Sequence, residues 1–130
     1  MAEHESFEIT QGAVVKNSEG AILILETSKG RWILPGGRID KGETWIEALK
    51  RELKEELGMG DFEVKRVLSA DSWIENGHGK YAVNFLVEPK NFSEPMLREE
   101  HKKYAWVKEE NLDDYNFWAE GLKEKIKSFY

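Results

Sequence analysis

The stretch WILPGGRIDKGETWIEALKRELKEELGMG, residues Trp32 to Gly60, sets two adjacent glycines, Gly36 and Gly37, ahead of a segment that ends in a crowd of carboxylates. Glu52, Glu55 and Glu56 stand at i, i+3 and i+4. At about 100° per residue they share one sector of a helix, a quarter-turn or more from the stripe of Ile46, Leu49, Leu53 and Leu57. Like charges at these spacings cost about 0.2–0.5 kcal/mol per pair, and the C-terminal end of the helix dipole disfavours anions further. A divalent cation turns that repulsion into attraction, and hard oxygen ligands without His or Cys suit magnesium or manganese rather than zinc. A solvated helix face is the plainer reading of KRELKEEL, since Glu and Lys are favoured on exposed helices and Glu47 with Arg51, or Glu52 with Lys50 and Lys54, soften the repulsion. The glycines favour a site, because glycine lets backbone approach a ligand closely or take positive φ.

Such a cluster works only if the chain holds it in place. The helix is expected from Glu43 or Thr44 to Leu57, with Thr44 capping its start, Glu47 three residues on, and Gly58 ending it. Upstream, TQGAVVKNSEGAILILE reads as two strands around a turn at Asn17 to Gly20, and RWIL as a short strand stopped by Pro35. Downstream, FEVKRVLSADSW and KYAVNFLVEP read as strands around the loop IENGHG, and KKYAWV as another. Trp118, Leu122 and Ile126 at helical spacing predict a last helix from about Asn116 to Phe129. Strands, helix, strands, helix is the order of an α/β fold with a mixed β-sheet between helices.

Composition narrows the chemistry. The 130 residues fit a single domain, 1–130, and Cys 0 excludes disulfides, thiolate zinc sites and a cysteine nucleophile. A net charge of -6 argues against a nucleic-acid polymer as partner, while a small polyanion would need a cation between it and the protein. No apolar run approaches the roughly 20 residues of a membrane span and the N-terminus is acidic, so the expectation is a cytoplasmic protein with no membrane partner. Exposed aromatics would serve a homodimer interface as well as a ligand.

Loop and helix together resemble the Nudix box of the Nudix hydrolases, G-x5-E-x7-R-E-U-x-E-E-x-G-U with U apolar, and every specified position is met by Gly37, Glu43, Arg51, Glu52, Leu53, Glu55, Glu56, Gly58 and Met59. The resemblance implies an α/β/α sandwich and metal-dependent cleavage of a pyrophosphate bridge in a nucleoside diphosphate linked to another group. It implies that Glu52, Glu55 and Glu56, with the Gly36 carbonyl, hold Mg2+ or Mn2+, and that Arg51 and Glu43 pair and orient them. The general base falls either on Glu52 or Glu55, or on the later pair Glu99 and Glu100, of which Glu100 is the chosen further metal ligand or base. His101 beside it reads as a hydrogen-bonding or packing residue. For substrate, Arg38 and Arg31 (or Lys29) offer phosphate contacts, and Trp32, Trp73 and Tyr81 a stacking face for a base, against a core role for each aromatic. Trp45, Trp106 and Trp118 are assigned to packing.

Among subfamilies, the proline that marks ADP-ribose enzymes is missing from the region of DSWIENG, and Tyr81 lies later than the tyrosine of dinucleoside polyphosphate hydrolases. The short chain looks most like the MutT-type nucleoside triphosphate pyrophosphatases, with nucleotide sugars second. A catalytically silent nucleotide-binding module is the reading of another class, and it predicts damage to the box.

Overall fold

The computed structural model describes residues 3–98 and 101–130, and only the backbone at 101 and 102, so Glu99, Glu100 and the His101 side chain lie outside it. In chain order the elements are β1 (Phe7–Val14), β2 (Ile22–Thr27), β3 (Trp32–Ile33), β4 (Gly36–Arg38), α1 (Trp45–Leu57), β5 (Asp61–Glu75), β6 (His78–Lys90), β7 (His101–Val107), a 3-10 helix (Glu109–Asp114) and α2 (Leu122–Lys127). Strand order is β4-β1-β6-β5 in one sheet and β3-β2-β7 in the other. β1 runs parallel to β6 and antiparallel to β4, so the first sheet is mixed, as expected.

Alternation along the strands creates the layers. Ala13, Val15, Leu23 and Leu25 enter a core shared with Leu49, Leu53 and Leu57 of α1, whereas Val14, Ile22 and Ile24 enter a second core with Leu112, Ile126 and Phe129. The sheets are therefore covered on one face by α1 and on the other by the 3-10 helix and α2. Leu49, Leu53 and Leu57 are fully buried, and at about 1.5–3 kcal/mol each this outweighs the repulsion among the glutamates on the same helix. Among the described residues no helix is long and apolar enough to cross a membrane.

One sequence expectation holds and two need correction. The two strands and the turn at Asn17 to Gly20 are present as expected, with the Gly20 N–H donating to the Asn17 carbonyl at 3.0 Å, and β1 and β2 go on into different sheets. The loop IENGHG shrinks to Asn76 and Gly77, both at positive φ (51° and 79°), the conformation that a tight hairpin requires. The last helix covers only Leu122–Lys127, because the residues before it are drawn into strand pairing. The Trp32 N–H donates to the Asn116 carbonyl and the Trp118 N–H to the Trp32 carbonyl, both at 2.9 Å, and Gly121 at φ 89° starts the helix late.

Close approach fixes one glycine. Gly36 has φ 137°, and a Cβ there would stand 2.0 Å from the Gln11 carbonyl oxygen on β1. Gly36→Ala is expected to cost about 3 kcal/mol through overpacking and backbone strain. Gly77→Ala, which meets no neighbour, is expected to cost about 1 kcal/mol; equal losses in urea titrations would show that the β1–β4 approach does not constrain the fold.

Candidate active site

Helix α1 is held at both ends. The Glu47 N–H donates to Thr44 Oγ1 at 3.3 Å while Glu47 Oε1 accepts from the Thr44 N–H at 2.9 Å, a reciprocal capping box, and Gly58 closes the other end at φ 69°. Glu47 is thus committed to the cap, and Arg51 turns elsewhere. With the leucine stripe in the first core, Glu56 is carried inward to 7% exposure, the Glu52 side chain keeps 19%, and the Glu55 side chain stays half exposed.

Arg51 ties the loop before the helix to the helix itself. Its Nε donates to Glu43 Oε2 at 2.7 Å and its Nη2 to Glu43 Oε1 at 2.9 Å, a bidentate pair, while Nη1 donates to Glu52 Oε1 at 2.7 Å and Nη2 to the Arg38 carbonyl at 3.2 Å. Asp40 at 3.2 Å and Glu55 at 3.5 Å complete a ring of four carboxylates about one guanidinium. The Asp40 N–H also donates to Glu43, at 2.9 Å.

The glutamates and the glycine pair meet. The Gly36 N–H donates to Glu56 Oε1 at 2.7 Å, and a Cβ on Gly37 would lie 2.6 Å from the Glu52 carboxyl carbon. Two of the three glutamates therefore lie against the backbone of β4. Electrostatics divides them by task. The Arg51 hydrogen bonds, then the Asp40 N–H, hold the Glu43 carboxyl below its ordinary range. Burial pushes Glu52 above its ordinary range, against the Arg51 hydrogen bond and with help from the charges of Glu56 and Glu55. Among the described residues no three acidic or histidine side chains are gathered into a closed ligand cluster.

The other expected site residues are dispersed. Arg38 is exposed and pairs with Glu8 at 3.1 Å, while its carbonyl serves Arg51. Arg31 sits in the exposed turn before β3, where its carbonyl accepts the Thr27 N–H at 2.7 Å. Trp32 does not join the glutamates: it packs edge-on to Tyr115 at 5.0 Å beside the second core, on the face opposite α1. Trp73 lies exposed on β5, across from Lys80. Trp106 packs as expected and donates Nε1 to Glu94 at 3.2 Å. Trp118 does not pack inward; half of it is exposed, with the Lys29 ammonium 5.9 Å from its ring.

Tyr81 lines a cavity, beside two residues that sequence reasoning did not place there. A cavity of about 460 Å³ opens on the α1 face of the first sheet, lined by Ile9, Gln11, Ile39, Trp45, Tyr81 and Phe85 among others. Trp45, expected to pack inward, keeps 46% exposure and stacks on Phe85, with centroids 5.1 Å apart and planes at 25°. Gln11 is the register partner of Gly37, so the cavity begins one strand away from the carboxylates. No sequence signal joined Gln11 to Trp45, 34 positions apart.

Comparison with known proteins gives the family and the fold. The family model described as NUDIX domain matches residues 7–128. The nucleoside triphosphatase NudI of Escherichia coli O139:H28 is 33% identical over 117 residues, which cover 76% of this chain and 81% of that protein. An RNA pyrophosphohydrolase of Psychrobacter sp. is 32% identical over 75 residues, 57% of this chain; the chain thus spans only 43% of that relative's length. The crystal structure of a MutT protein from Methanosarcina mazei Go1 superposes with a TM-score of 0.79, covering 98% of this chain and 96% of that one, and at 22% identity the likeness is one of fold.

Two stability measurements probe the carboxylate array. Arg51→Lys, which loses the fork, is expected to cost about 1–3 kcal/mol in chelator-treated protein. The raised Glu52 value means that the fold prefers the protonated acid: the stability this residue contributes is present below its ordinary value and is lost as pH rises through the raised one. Chelator-treated Glu52→Gln is therefore expected to melt at or above the wild-type temperature at pH 8, with the difference shrinking as pH falls; a variant that melts lower at pH 8 would contradict the assigned burial cost.

Proposed function

The chain belongs to the NUDIX domain family, and on that premise we propose that it is a metal-dependent hydrolase of phosphoric anhydrides whose substrate is a nucleoside triphosphate. The observation that carries this reading is the Arg51 fork, which holds Glu43 and Glu52 in one ion-pair network beside Glu56 on the Gly36 amide. Triphosphates rank first because the relative named a nucleoside triphosphatase is matched over 81% of its length.

The donors suit a hard cation. Glu52, Glu55 and Glu56 offer carboxylate oxygen only, the Gly36 carbonyl is a further candidate, and burial makes the negative charge on Glu52 costly until a cation neutralises it. Magnesium or manganese, when bound, supplies positive charge to the phosphate oxygens and makes a water more acidic. Arg51 and Glu43 orient the glutamates rather than touch substrate. Glu52 or Glu55 takes the proton of the attacking water, and Glu100, which lies outside the described residues, is retained as the other candidate base and ligand. Arg38, whose guanidinium is largely exposed, reaches for phosphate in exchange for its pairing with Glu8. The cavity takes the nucleoside, with Trp45 and Tyr81 as its aromatic walls.

Phosphate release after inorganic pyrophosphatase, over nucleoside triphosphates, dinucleoside polyphosphates and nucleotide sugars with Mg2+ or Mn2+, tests the reading. A parallel assay with alkaline phosphatase in place of pyrophosphatase detects monoester products. Glu56→Gln is expected to lower turnover by about a hundredfold or more. Absence of metal-dependent turnover on every member, in folded protein, would overturn it.

A further inference from the structure

Across the first sheet Gly36, Gly12, Asn84 and Ser69 stand in one row, on β4, β1, β6 and β5. The two facing glycines leave the β4–β1 junction without a cross-strand side-chain pair at the point where the Gly36 N–H donates to Glu56. Asn84 fills part of that gap from the next strand. On one side its Nδ2 donates to Ser69 Oγ at 3.0 Å; on the other, a Cβ on Gly12 would stand 2.1 Å from Asn84 Oδ1 and 3.3 Å from its Cγ. The amide therefore occupies the place of the side chain that Gly12 lacks. Val14 and Leu86, further along the same strands in the same alternation, pack in the second core, so the amide lies on the sheet face opposite α1 and its carboxylates.

Resting on the metal-dependent hydrolase reading above, we propose that Asn84 is a positioning residue of the site, which holds the β1 backbone in the place from which Gly36 presents its amide to Glu56. The links are short. A Cβ on Gly36 would lie 2.0 Å from the Gln11 carbonyl oxygen and 3.0 Å from the Gly12 Cα, so β4 is seated directly on β1 at this point. The Ala13 N–H donates to the Pro35 carbonyl at 2.8 Å and fixes the entry to β4 from the same stretch of β1. A bare position between two neighbouring strands has room to shift, and the amide, tied to Ser69, takes up that room. A displacement of β1 at Gly12 reaches Gly36 and, through its N–H, the Glu56 carboxylate. Asn84 thus acts through two strands of backbone rather than by contact with the glutamates.

Amide hydrogen exchange in chelator-treated protein reads this link without metal or substrate. In Asn84→Ala the Gly36 N–H is expected to exchange about tenfold faster relative to the Ile39 N–H, which donates to the Ile9 carbonyl at 3.1 Å beside the same strand pair. With Mg2+, kcat is expected to fall about three- to tenfold while KM stays within about twofold. Gly12→Ala, whose Cβ meets the amide, is expected to act in the same direction. In the Asn84→Ala background that Cβ meets nothing nearer than Leu34 Cδ1, at 3.5 Å, and the double variant is expected to return toward wild type in both readouts. Ser69→Ala, which removes only the hydrogen bond, is the milder variant should a single substitution fail to fold, and is expected to speed Gly36 exchange about threefold. Lowered thermal stability with Gly36 and Ile39 exchanging alike, or additive losses in the double variant, would overturn the proposal and leave Asn84 a packing residue. Faster Gly36 exchange in a protein that turns over no substrate would uphold it while overturning the hydrolase reading; turnover with exchange and kcat unchanged in the variants would do the reverse.

Discussion

The site depends on one guanidinium. Arg51 reaches from the middle of α1 to both oxygens of Glu43, to Glu52, and to the carbonyl of Arg38. Without it the loop from β4 to α1 would have few ties to the helix, and a set of carboxylates would face one another uncompensated. The planar fork suits this position because its donors have fixed directions and it carries charge at any working pH. The leucine stripe determines where the helix lies, and Arg51 determines what stands beside it.

The balance of charge around that fork differs from residue to residue. Glu43 is the anchor: fully engaged by Arg51 and held ionised, it does not change state in the ordinary pH range of a cell. Glu52 shares the same guanidinium but is partly buried near Glu55 and Glu56, and its charge is unfavourable in the fold. Sequences tend to break local rules where function requires it. The helix carries an unfavourable acidic cluster close to its C-terminus, and the cost is met by buried leucines, a complete capping box and a glycine C-cap.

Helix α1 was legible in the sequence almost residue for residue, because its signals are local: Thr44 with Glu47, the leucine period, and Gly58. The box residues were legible for the same reason, and the structure brings Glu43, Arg51, Glu52 and Glu55 into one ion-pair network with Gly36 and Glu56 beside it. What escaped depends on contacts between distant segments. Trp32 has the composition of a stacking residue, yet strand pairing with Phe117 and the contact with Tyr115 place it on the other face. Trp45 occupies the first turn of a helix whose apolar period points inward, yet it lies at the rim over Phe85. The C-terminal helix was overextended because the 3.6-residue period at Trp118 carries no information about a competing bond to β3. Gln11 carried no signal at all; a glutamine on a strand is unremarkable until the helix that it contacts is in place.

Gln11 also touches both halves of the site. Its backbone carbonyl closes the space above Gly36, and its side chain holds the first residue of α1. The strand that shapes the floor of the cavity is the same strand that seats the glycine beneath the glutamates, so a change along β1 reaches the cavity wall and the carboxylate placement together. Tyr81, Val64 and Val67, on the strands beyond it, line the cavity without touching that junction. The two walls of the cavity are therefore unequal: cavity-lining side chains on β5 and β6 can change shape without disturbing the β1–β4 approach, whereas those on β1 cannot.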